Sequence, residues 1–353
     1  MSSPDPRHQP RSVLVTGAAG FIGSGLVRAL LRDPDVRVVS VDALTYAGSR
    51  EHLRGLDAAR HQLVEANVSE RVRMAELIAG EAIDTVIHLA AETHVDRSID
   101  DVEPFLATNV AASVELLRAA RAAWRGRTGV LFHQVSTDEV YGPIATGEVA
   151  SEDAPIRPHN PYAATKAAQQ HLALAWRATY GLPVSVSLPT NCYGPRQFPE
   201  KLLPLAIDKA LRGQVIPIYG DGRQQRSWLY VDDACAGILA AVTRGEPGRC
   251  YNLGGGEPRE NREVVALLCR ALDRQRPAGA PHERLITHVG DRPGHDRRYA
   301  LDSARADREL GWSAATALER GLEQTVRWYL DHCAWADEVR ARYRGERLGT
   351  GVD

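Results

Sequence analysis

Ser136-Thr137-Asp138-Glu139-Val140-Tyr141-Gly142 follows Val130-Leu131-Phe132-His133-Gln134-Val135, a short β-branched and aromatic run. The run is predicted to be a buried strand. A hydroxyl and two adjacent carboxylates therefore leave the C-terminal end of a strand together. In an open parallel sheet that edge is where ligands bind, and an acid beside a base suits proton transfer to and from a substrate. A solvated turn with helix-capping acids explains the heptapeptide equally well when it is taken alone. A second pair follows in His159-Asn160-Pro161-Tyr162-Ala163-Ala164-Thr165-Lys166. Asn160 is a natural N-cap and Pro161 suits the first helical position, so a helix is predicted from there to about Tyr180, ending at Gly181. Tyr162 and Lys166 then share one face. A lysine ammonium beside a phenol lowers the phenol's pKa, which would make Tyr162 a base for an alcohol proton. In isolation the pair is better explained as an ordinary surface Tyr and Lys.

The elements that must position these groups begin at Ser12-Val-Leu-Val-Thr16, a β run followed by Gly17-Ala-Ala-Gly20-Phe-Ile-Gly23, a helical pattern to about Pro34, and a strand Val36–Val41 closed by Asp42. This is a βαβ unit with a glycine-rich turn opening its helix. Gly17 permits the tight turn, Gly20 lets the backbone approach a pyrophosphate, and Gly23 lets helix and strand pack closely. Asp42 stands where a carboxylate would bind ribose hydroxyls and repel a 2′-phosphate, so NAD is expected rather than NADP. Further strands at His61–Glu65 and Thr85–Leu89, and helices at Val72–Ala79 and Glu103–Trp124, continue the alternation. It predicts an α/β fold, a doubly wound parallel sheet of Rossmann type.

After Val184–Ser187 the texture changes to Pro-, Gly- and Arg-rich loops between short strands and helices, among them Arg223-Gln-Gln-Arg226 and Asp291-Arg292-Pro-Gly-His295-Asp-Arg-Arg-Tyr299. The expected organisation is a tail over 1–11 and an NAD-binding domain over 12–187. A smaller mixed α/β substrate domain over 188–335 follows, some of whose segments can return to the Rossmann sheet, and then a C-terminal tail over 336–353. The cleft between the domains is the expected site, with loop arginines gripping phosphates. The last helix, about Ala315 to Cys333, is expected only to pack.

Composition narrows the function classes. Among 353 residues, 44% are hydrophobic and 25% charged, with a net charge of -2, which offers no basic surface to nucleic acid and no polybasic membrane signal. Five scattered cysteines without CxxC spacing argue against a disulfide framework or a zinc site, so no metal is expected and a reducing cytoplasm fits. No apolar run is long enough to span a bilayer. Met1–Arg11 is polar and Pro-rich, which fits a disordered tail and not a signal peptide. Gly345–Asp353 is read as disordered too.

The glycine turn, the hydroxyl before the acids and Tyr-x-x-x-Lys together resemble the extended short-chain dehydrogenase/reductase superfamily. Within it, Leu44-Thr-Tyr-Ala-Gly48, Leu89-Ala-Ala-Glu-Thr-His-Val-Asp-Arg-Ser98, Ser136–Gly142, Phe198-Pro-Glu-Lys201 and Asp291–Asp296 resemble the dTDP-glucose 4,6-dehydratase family, in order over roughly Ser12 to Tyr329. The resemblance implies an NAD-dependent carbon–oxygen lyase that turns dTDP-glucose into dTDP-4-keto-6-deoxyglucose and water in deoxysugar biosynthesis. It implies that Tyr162 with Lys166 takes the 4-hydroxyl proton, that Thr137 hydrogen-bonds the same oxygen, that Glu139 removes the C5 proton and that protonated Asp138 releases the 6-hydroxyl. Burial and the neighbouring carboxylate are expected to raise the pKa of Asp138 for that task.

NAD contacts carried over by the resemblance fall on Phe21, Ile22, Asp42, Leu44, Thr45, Asn67 and Val68. They continue at Leu89, Ala90, Ala91, Thr93, Thr108, Tyr162, Lys166 and Cys192. Nucleotide-sugar contacts fall on Thr93, Thr137, Asn191, Lys201, Leu202 and Pro217, and on Tyr219, Arg226, Asn261, Arg292 and His295. A homodimer built on helices is implied as well. Three positions depart from the family pattern: Asn67 and Ser227 where Asp is usual, and Leu188 where Arg is usual. A sister enzyme is the first alternative: a 4-epimerase, a UDP-glucuronate decarboxylase or a UDP-glucose 4,6-dehydratase. The Asp138-Glu139 pair weighs against the epimerase, which has no C5 proton or 6-hydroxyl to handle, and against the decarboxylase, which usually carries Ser at Asp138. A non-catalytic NAD-binding protein is the second alternative. It predicts loss of the proton-transfer residues, and all five are present.

Overall fold

The structure, a computed structural model, describes residues 7–342. In chain order the first half comprises β1 (Ser12–Thr16), α1 (Phe21–Leu30), β2 (Arg37–Asp42), β3 (His61–Glu65), α2 (Arg71–Gly80), β4 (Thr85–His88), α3 (Val95–Asp100), α4 (Glu103–Phe105), α5 (Ser113–Ala123), β5 (Leu131–Val135), α6 (Pro161–Tyr180) and β6 (Val184–Pro189). The second half adds β7 (Asn191–Tyr193), α7 (Leu202–Leu211), β8 (Ile216–Tyr219), β9 (Gln225–Arg226), β10 (Trp228–Tyr230), α8 (Val231–Arg244), β11 (Cys250–Leu253) and β12 (Arg259–Glu260). It ends with α9 (Asn261–Gln275), β13 (Ile286–Val289), α10 (Ala304–Leu310), α11 (Leu318–Asp331) and α12 (Cys333–Arg342).

Seven parallel strands form the central sheet in the order β11-β6-β5-β4-β1-β2-β3. β1, β4, β5 and β6 are buried along their whole length, as expected of strands covered by helices on both faces. The order reverses between β1 and β4, so the loops after these two strands part and leave a crevice at the carboxyl edge. β11 comes from the second half of the chain and completes the sheet beside β6. One apolar cluster, with α1, α8 and Trp312, lies on one face of the sheet, and a second, with α2, α5 and Phe132, on the other. A third cluster joins α7, α9 and α11 around Tyr193 and Leu268 beneath the small β8–β13 pair.

Local signals explain α6 well. The Asn160 side chain accepts from Ala163 N at 2.8 Å, Pro161 opens the helix, and Gly181 ends it at φ 71°, donating to the Arg177 carbonyl. The expected unbroken helix from Glu103 to Trp124 is corrected: α4 and α5 are joined by a π-helical stretch, Leu106–Ala112. Its wider turn directs Asn109 inward, where the side-chain amide accepts from Glu92 N (2.8 Å) and donates to Glu92 O (3.0 Å) and Thr165 Oγ1 (2.9 Å). The loop after β4 is thereby tied to α6.

The termini also differ from expectation. The amides of Arg7 and His8 donate to the Thr243 carbonyl, and His8 Nε2 lies 2.7 Å from Thr85 Oγ1, so residues 7–11 of the expected tail are fixed to the domain. The final packing helix stops at Asp331, and a further helix, α12, carries the chain into the expected C-terminal tail. Arg340 pairs with Asp208 at 2.9 Å, and Trp335 packs on Trp328, Tyr329 and His52. The remaining tail positions, 1–6 and 343–353, lie outside the described residues.

Candidate active site

The glycine turn after β1 is built by close contact. Gly17 sits at φ +65°, and a Cβ there would approach Ala90 N to 2.8 Å. A Cβ on Gly23 would stand 2.1 Å from the Gly17 carbonyl oxygen, so no larger residue fits while the turn keeps its shape. Asp42 closes β2 with its carboxylate accepting from Ala19 N and Leu44 N, each at 2.8 Å. Burial raises its pKa and these two amides oppose the rise.

The crevice between the β1 and β4 loops holds about 280 Å³. Gly17, Gly20, Phe21, Ile22, Gly23, Asp42, Thr45, Asn67 and Val68 line it from the β1–β3 side. Leu89, Ala90, Ala91, Thr93, Thr108, Tyr162 and Lys166 line it from the other. Of the residues expected around a dinucleotide, Leu44 and Cys192 do not line the crevice; both are partly buried against the apolar core beside it. Phe198 and Glu200, part of the Phe198–Lys201 motif but not among the expected cofactor contacts, do line it.

A second cavity of about 470 Å³ opens onto the second half of the chain. It collects Thr93, Asn191, Lys201, Leu202, Pro217, Tyr219, Arg226, Asn261, Arg292 and His295, residues far apart in the chain that the family resemblance implied as nucleotide-sugar contacts. Thr137 is the one member of the expected substrate set that does not line it. Thr93, Glu200 and Lys201 border both cavities, so the two meet there. Asn191 Oδ1, Asn261 Oδ1, Arg292 Nη1 and Glu200 Oε2 are buried in this region without a hydrogen-bond partner. Buried polar atoms rarely stay unpaired, so the cavity fits a polar occupant.

The loop arginines behave less uniformly than expected. Arg226 reaches the cavity but also donates to the Gln225 and Asp296 carbonyls, each at 2.8 Å, and stacks 4.2 Å from the Tyr299 ring centroid. Arg292 pairs with Asp96 at 3.2 Å. Arg223 does not line the cavity, and Arg297 pairs with Asp221 outside it.

The heptapeptide lies at the junction. Thr137 caps a 3-10 turn, Asp138–Tyr141, by accepting from Glu139 N. Within that turn the two acids face different surroundings. Asp138 is 2% exposed, accepts from Thr190 Oγ1 at 2.6 Å and from Thr137 Oγ1 at 3.2 Å. Burial, the largest influence, and the Glu139 charge push its pKa up to about 7, against the pull of the Thr190 hydrogen bond. Glu139 instead borders the larger cavity, where its Oε2 accepts from Asn160 Nδ2 at 3.1 Å and lies 3.4 Å from Tyr299 Oη.

Tyr162 and Lys166 do share a face of α6, but the expected depression of the phenol by the lysine is corrected. Lys166 Nζ donates to the Val135 carbonyl at 2.9 Å and to Gln169, not to the phenol. Burial lowers the Lys166 pKa to about 7. Burial and the Glu139 and Asp138 charges push the Tyr162 phenol well above its ordinary value, and only the hydrogen bond with Thr137 opposes them. Leu188 lies in the apolar cluster with Val186 and Tyr141, whereas Ser227 donates to the Gly256 carbonyl at 2.9 Å. They share no described hydrogen bond.

Comparison with known proteins decides the family. A sequence model of the family described as GDP-mannose 4,6 dehydratase matches residues 14–325. The dTDP-glucose 4,6-dehydratase of Neisseria meningitidis serogroup B is 46% identical over 353 residues, spanning 97% of this chain and 99% of that protein. The chain belongs to the dTDP-glucose 4,6-dehydratase family. A second family member, dTDP-glucose 4,6-dehydratase 1 of Escherichia coli K12, is 43% identical over 93% of this chain and 95% of its own. Among solved structures, DesIV, a dTDP-glucose 4,6-dehydratase from Streptomyces venezuelae with NAD and TYD bound, superposes with a TM-score of 0.85 at 41% identity. The match covers 93% of this chain and 99% of DesIV.

Site residues missed from the sequence fall into two kinds. Asp296 and Tyr299 lie in the loop already noted for its arginines, but nothing in their spacing aimed them at Glu139. Thr190 carried no signal at all, because only the pairing of β5 with β6 brings it to Asp138.

Proposed function

We propose that the protein converts dTDP-glucose to dTDP-4-keto-6-deoxyglucose and water. The observation that carries this reading is the adjacent carboxyl pair, one acid buried with its pKa raised to about 7 and the other open to the larger cavity. The glycine turn and Asp42 would hold NAD in the smaller crevice, where it would supply a reversible hydride acceptor. The sugar occupies the junction, with its nucleotide in the cavity around Asn191, Asn261 and Arg292.

Tyr162 lines the crevice where the nicotinamide's positive charge would favour its phenolate against the neighbouring acids; in that form it accepts the proton of the sugar 4-hydroxyl as C4 is oxidised, and Thr137, bonded to the phenol oxygen, holds the sugar oxygen beside it. The 4-ketone acidifies C5, and Glu139 removes its proton. Asp138 gives its own proton to the 6-hydroxyl, which leaves as water. Hydride returned to C6 and a proton returned to C5 complete the product. Over one turnover Tyr162 gains a proton and Asp138 loses one. Thr137, which hydrogen-bonds both groups, is placed to return it. Lys166 orients the base side of the site through Val135 and Gln169.

The same reading includes a homodimer, supported by the exposed Leu106 (43%) and Tyr180 (48%) on the helical segments that follow α4 and end α6. A cytoplasmic setting is supported by five free cysteines. Among the described residues no helix is long and apolar enough to cross a membrane. The test is mass spectrometry of dTDP-glucose incubated with purified protein, with UDP-glucose alongside and no reductant. Loss of one water from dTDP-glucose is expected. Loss from UDP-glucose alone would reassign the nucleotide, and an unchanged mass would refute the dehydration. Light scattering on the same sample measures the dimer.

A further inference from the structure

Glu139 is not isolated behind the sugar. Its Oε2 lies 3.4 Å from Tyr299 Oη, which donates to Asp296 Oδ2 at 2.7 Å. Asp296 Oδ1 stands 3.1 Å from His159 Nδ1. The Asp296 side chain is 5% exposed, whereas that of His159 is 52% exposed. A line of exchangeable protons therefore runs from Glu139, in the wall of the larger cavity, to the exposed His159, which does not line that cavity.

The line is held by backbone. Arg157 N donates to the Val140 carbonyl at 2.9 Å, which fixes the irregular segment leading to His159 against the 3-10 turn. Gln225 N donates to Arg297 O (2.8 Å), Tyr299 N to Gln225 O (3.1 Å) and Ile144 N to Arg298 O (2.9 Å), which fix the other side. One hydroxyl proton on Tyr299 faces two carboxyl groups and can satisfy only one of them. It goes to Asp296 at the shorter distance. A protonated Glu139 would then find the Tyr299 oxygen free to accept.

We propose that His159, Asp296 and Tyr299 form a proton relay that connects Glu139 to solvent while substrate covers the cavity. The inference rests on the function proposed above. After Glu139 has taken the C5 proton, it passes a proton to Tyr299 Oη as Tyr299 passes its own to Asp296. Asp296 passes a proton to His159 Nδ1, and His159 releases one from Nε2 to water. The reverse sequence restores a solvent proton to Glu139 for delivery to C5. No charge accumulates on Tyr299; the Asp296 carboxyl turns to carry its proton from Oδ2 to Oδ1, His159 is left as its Nδ1–H tautomer and the Tyr299 hydroxyl faces Glu139. His159, Asp296 and Tyr299 act through Glu139 and are positioning residues.

The test uses the full-length enzyme and dTDP-glucose carrying deuterium at C5, in ordinary water, with the product quenched early, before the free ketone can exchange. The wild type is expected to lose the label from C5. His159→Ala should retain deuterium on the order of tenfold more often, below the roughly 10²–10⁴-fold of a group that itself exchanges a proton with substrate, because His159 acts through Glu139. Added imidazole should restore the washout in His159→Ala, whose exposed site can admit it. His159→Gln keeps a hydrogen-bonding side chain beside Asp296, and should retain the label with no response to imidazole. The label is scored per product molecule, so a slower or partly unfolded variant does not alter it. Equal washout in wild type and His159→Ala, or full retention in the wild type, overturns the relay and leaves the dehydratase reading standing. Failure of the wild type to dehydrate dTDP-glucose at all overturns that reading and the relay with it.

Discussion

Replacing Asp138 with Asn separates the acid from everything else the site does. The amide keeps the shape of the carboxyl and can still accept from Thr190 Oγ1, now 2.6 Å from Asp138. It cannot give a proton to the sugar 6-hydroxyl. At pH 7 a carboxyl titrating at 3.8 is protonated in about one molecule in 1,600, and one titrating at about 7 in about half of them. The burial of Asp138 thus supplies most of the acid form, and its removal should slow dehydration about 10²–10⁴-fold. Oxidation at C4 uses Tyr162 and should survive. In a single-turnover experiment the variant should accumulate reduced nicotinamide, seen by its near-ultraviolet absorbance, while product formation stalls.

The same shift has a stability consequence of fixed sign. The folded pKa of Asp138 is raised, so folding is penalised as pH climbs from 3.8 through about 7 and the penalty is complete above that window. Asp138→Asn should therefore unfold at higher urea than wild type at about pH 8.5, by at most about 4 kcal/mol, and show no gain near about pH 4. A variant that dehydrates within about threefold of wild type, or one that is less stable at the alkaline pH, would refute the reasoning.

Glu139→Gln should also oxidise C4 and stall, but with no exchange of the C5 proton into solvent, which nuclear magnetic resonance of the recovered substrate checks. Tyr162→Phe should lose the oxidation itself, by about 10²–10⁴-fold, with no reduced nicotinamide in the burst, and keep its affinity for the nucleotide product as read by calorimetry. Wild-type turnover should fall as pH rises past about 7, where Asp138 gives up its proton, and Asp138→Asn should lack that alkaline limb in its residual rate. Gly23→Ala should displace the turn, because its Cβ would meet the Gly17 carbonyl at 2.1 Å, and the protein should lose NAD-dependent thermal stabilisation in a melting experiment.

Much of the site could be read from local pattern because its parts are local. The turn Gly17–Gly23, the heptapeptide and the capped helix from Asn160 each carry their own signal, and β-strand alternation orders them along one sheet edge. What escaped needed the third dimension. The unbroken helix expected over Glu103–Trp124 has apolar periodicity throughout, and only the demand of Glu92 and Thr165 for the Asn109 amide explains its π-helical stretch. Lys166 at i+4 from Tyr162 suggested a pair, yet spacing cannot reveal that the Val135 carbonyl and Gln169 lie nearer to the ammonium. Thr190 and Tyr299 come from strands and loops far along the chain, so no spacing rule could have brought them to the acids.

The division of labour between Asp138 and Glu139 shows the same limit in one dipeptide. Adjacent carboxylates are chemically near-equivalent, and their order says nothing about which gives a proton and which takes one. The 3-10 turn begun by Thr137 gives them different surroundings, since consecutive side chains on so tight a turn point about 120° apart. Asp138 is driven inward against Thr190 and the β6 end, where charge is expelled by burial. Glu139 is driven outward to the cavity, Asn160 and Tyr299.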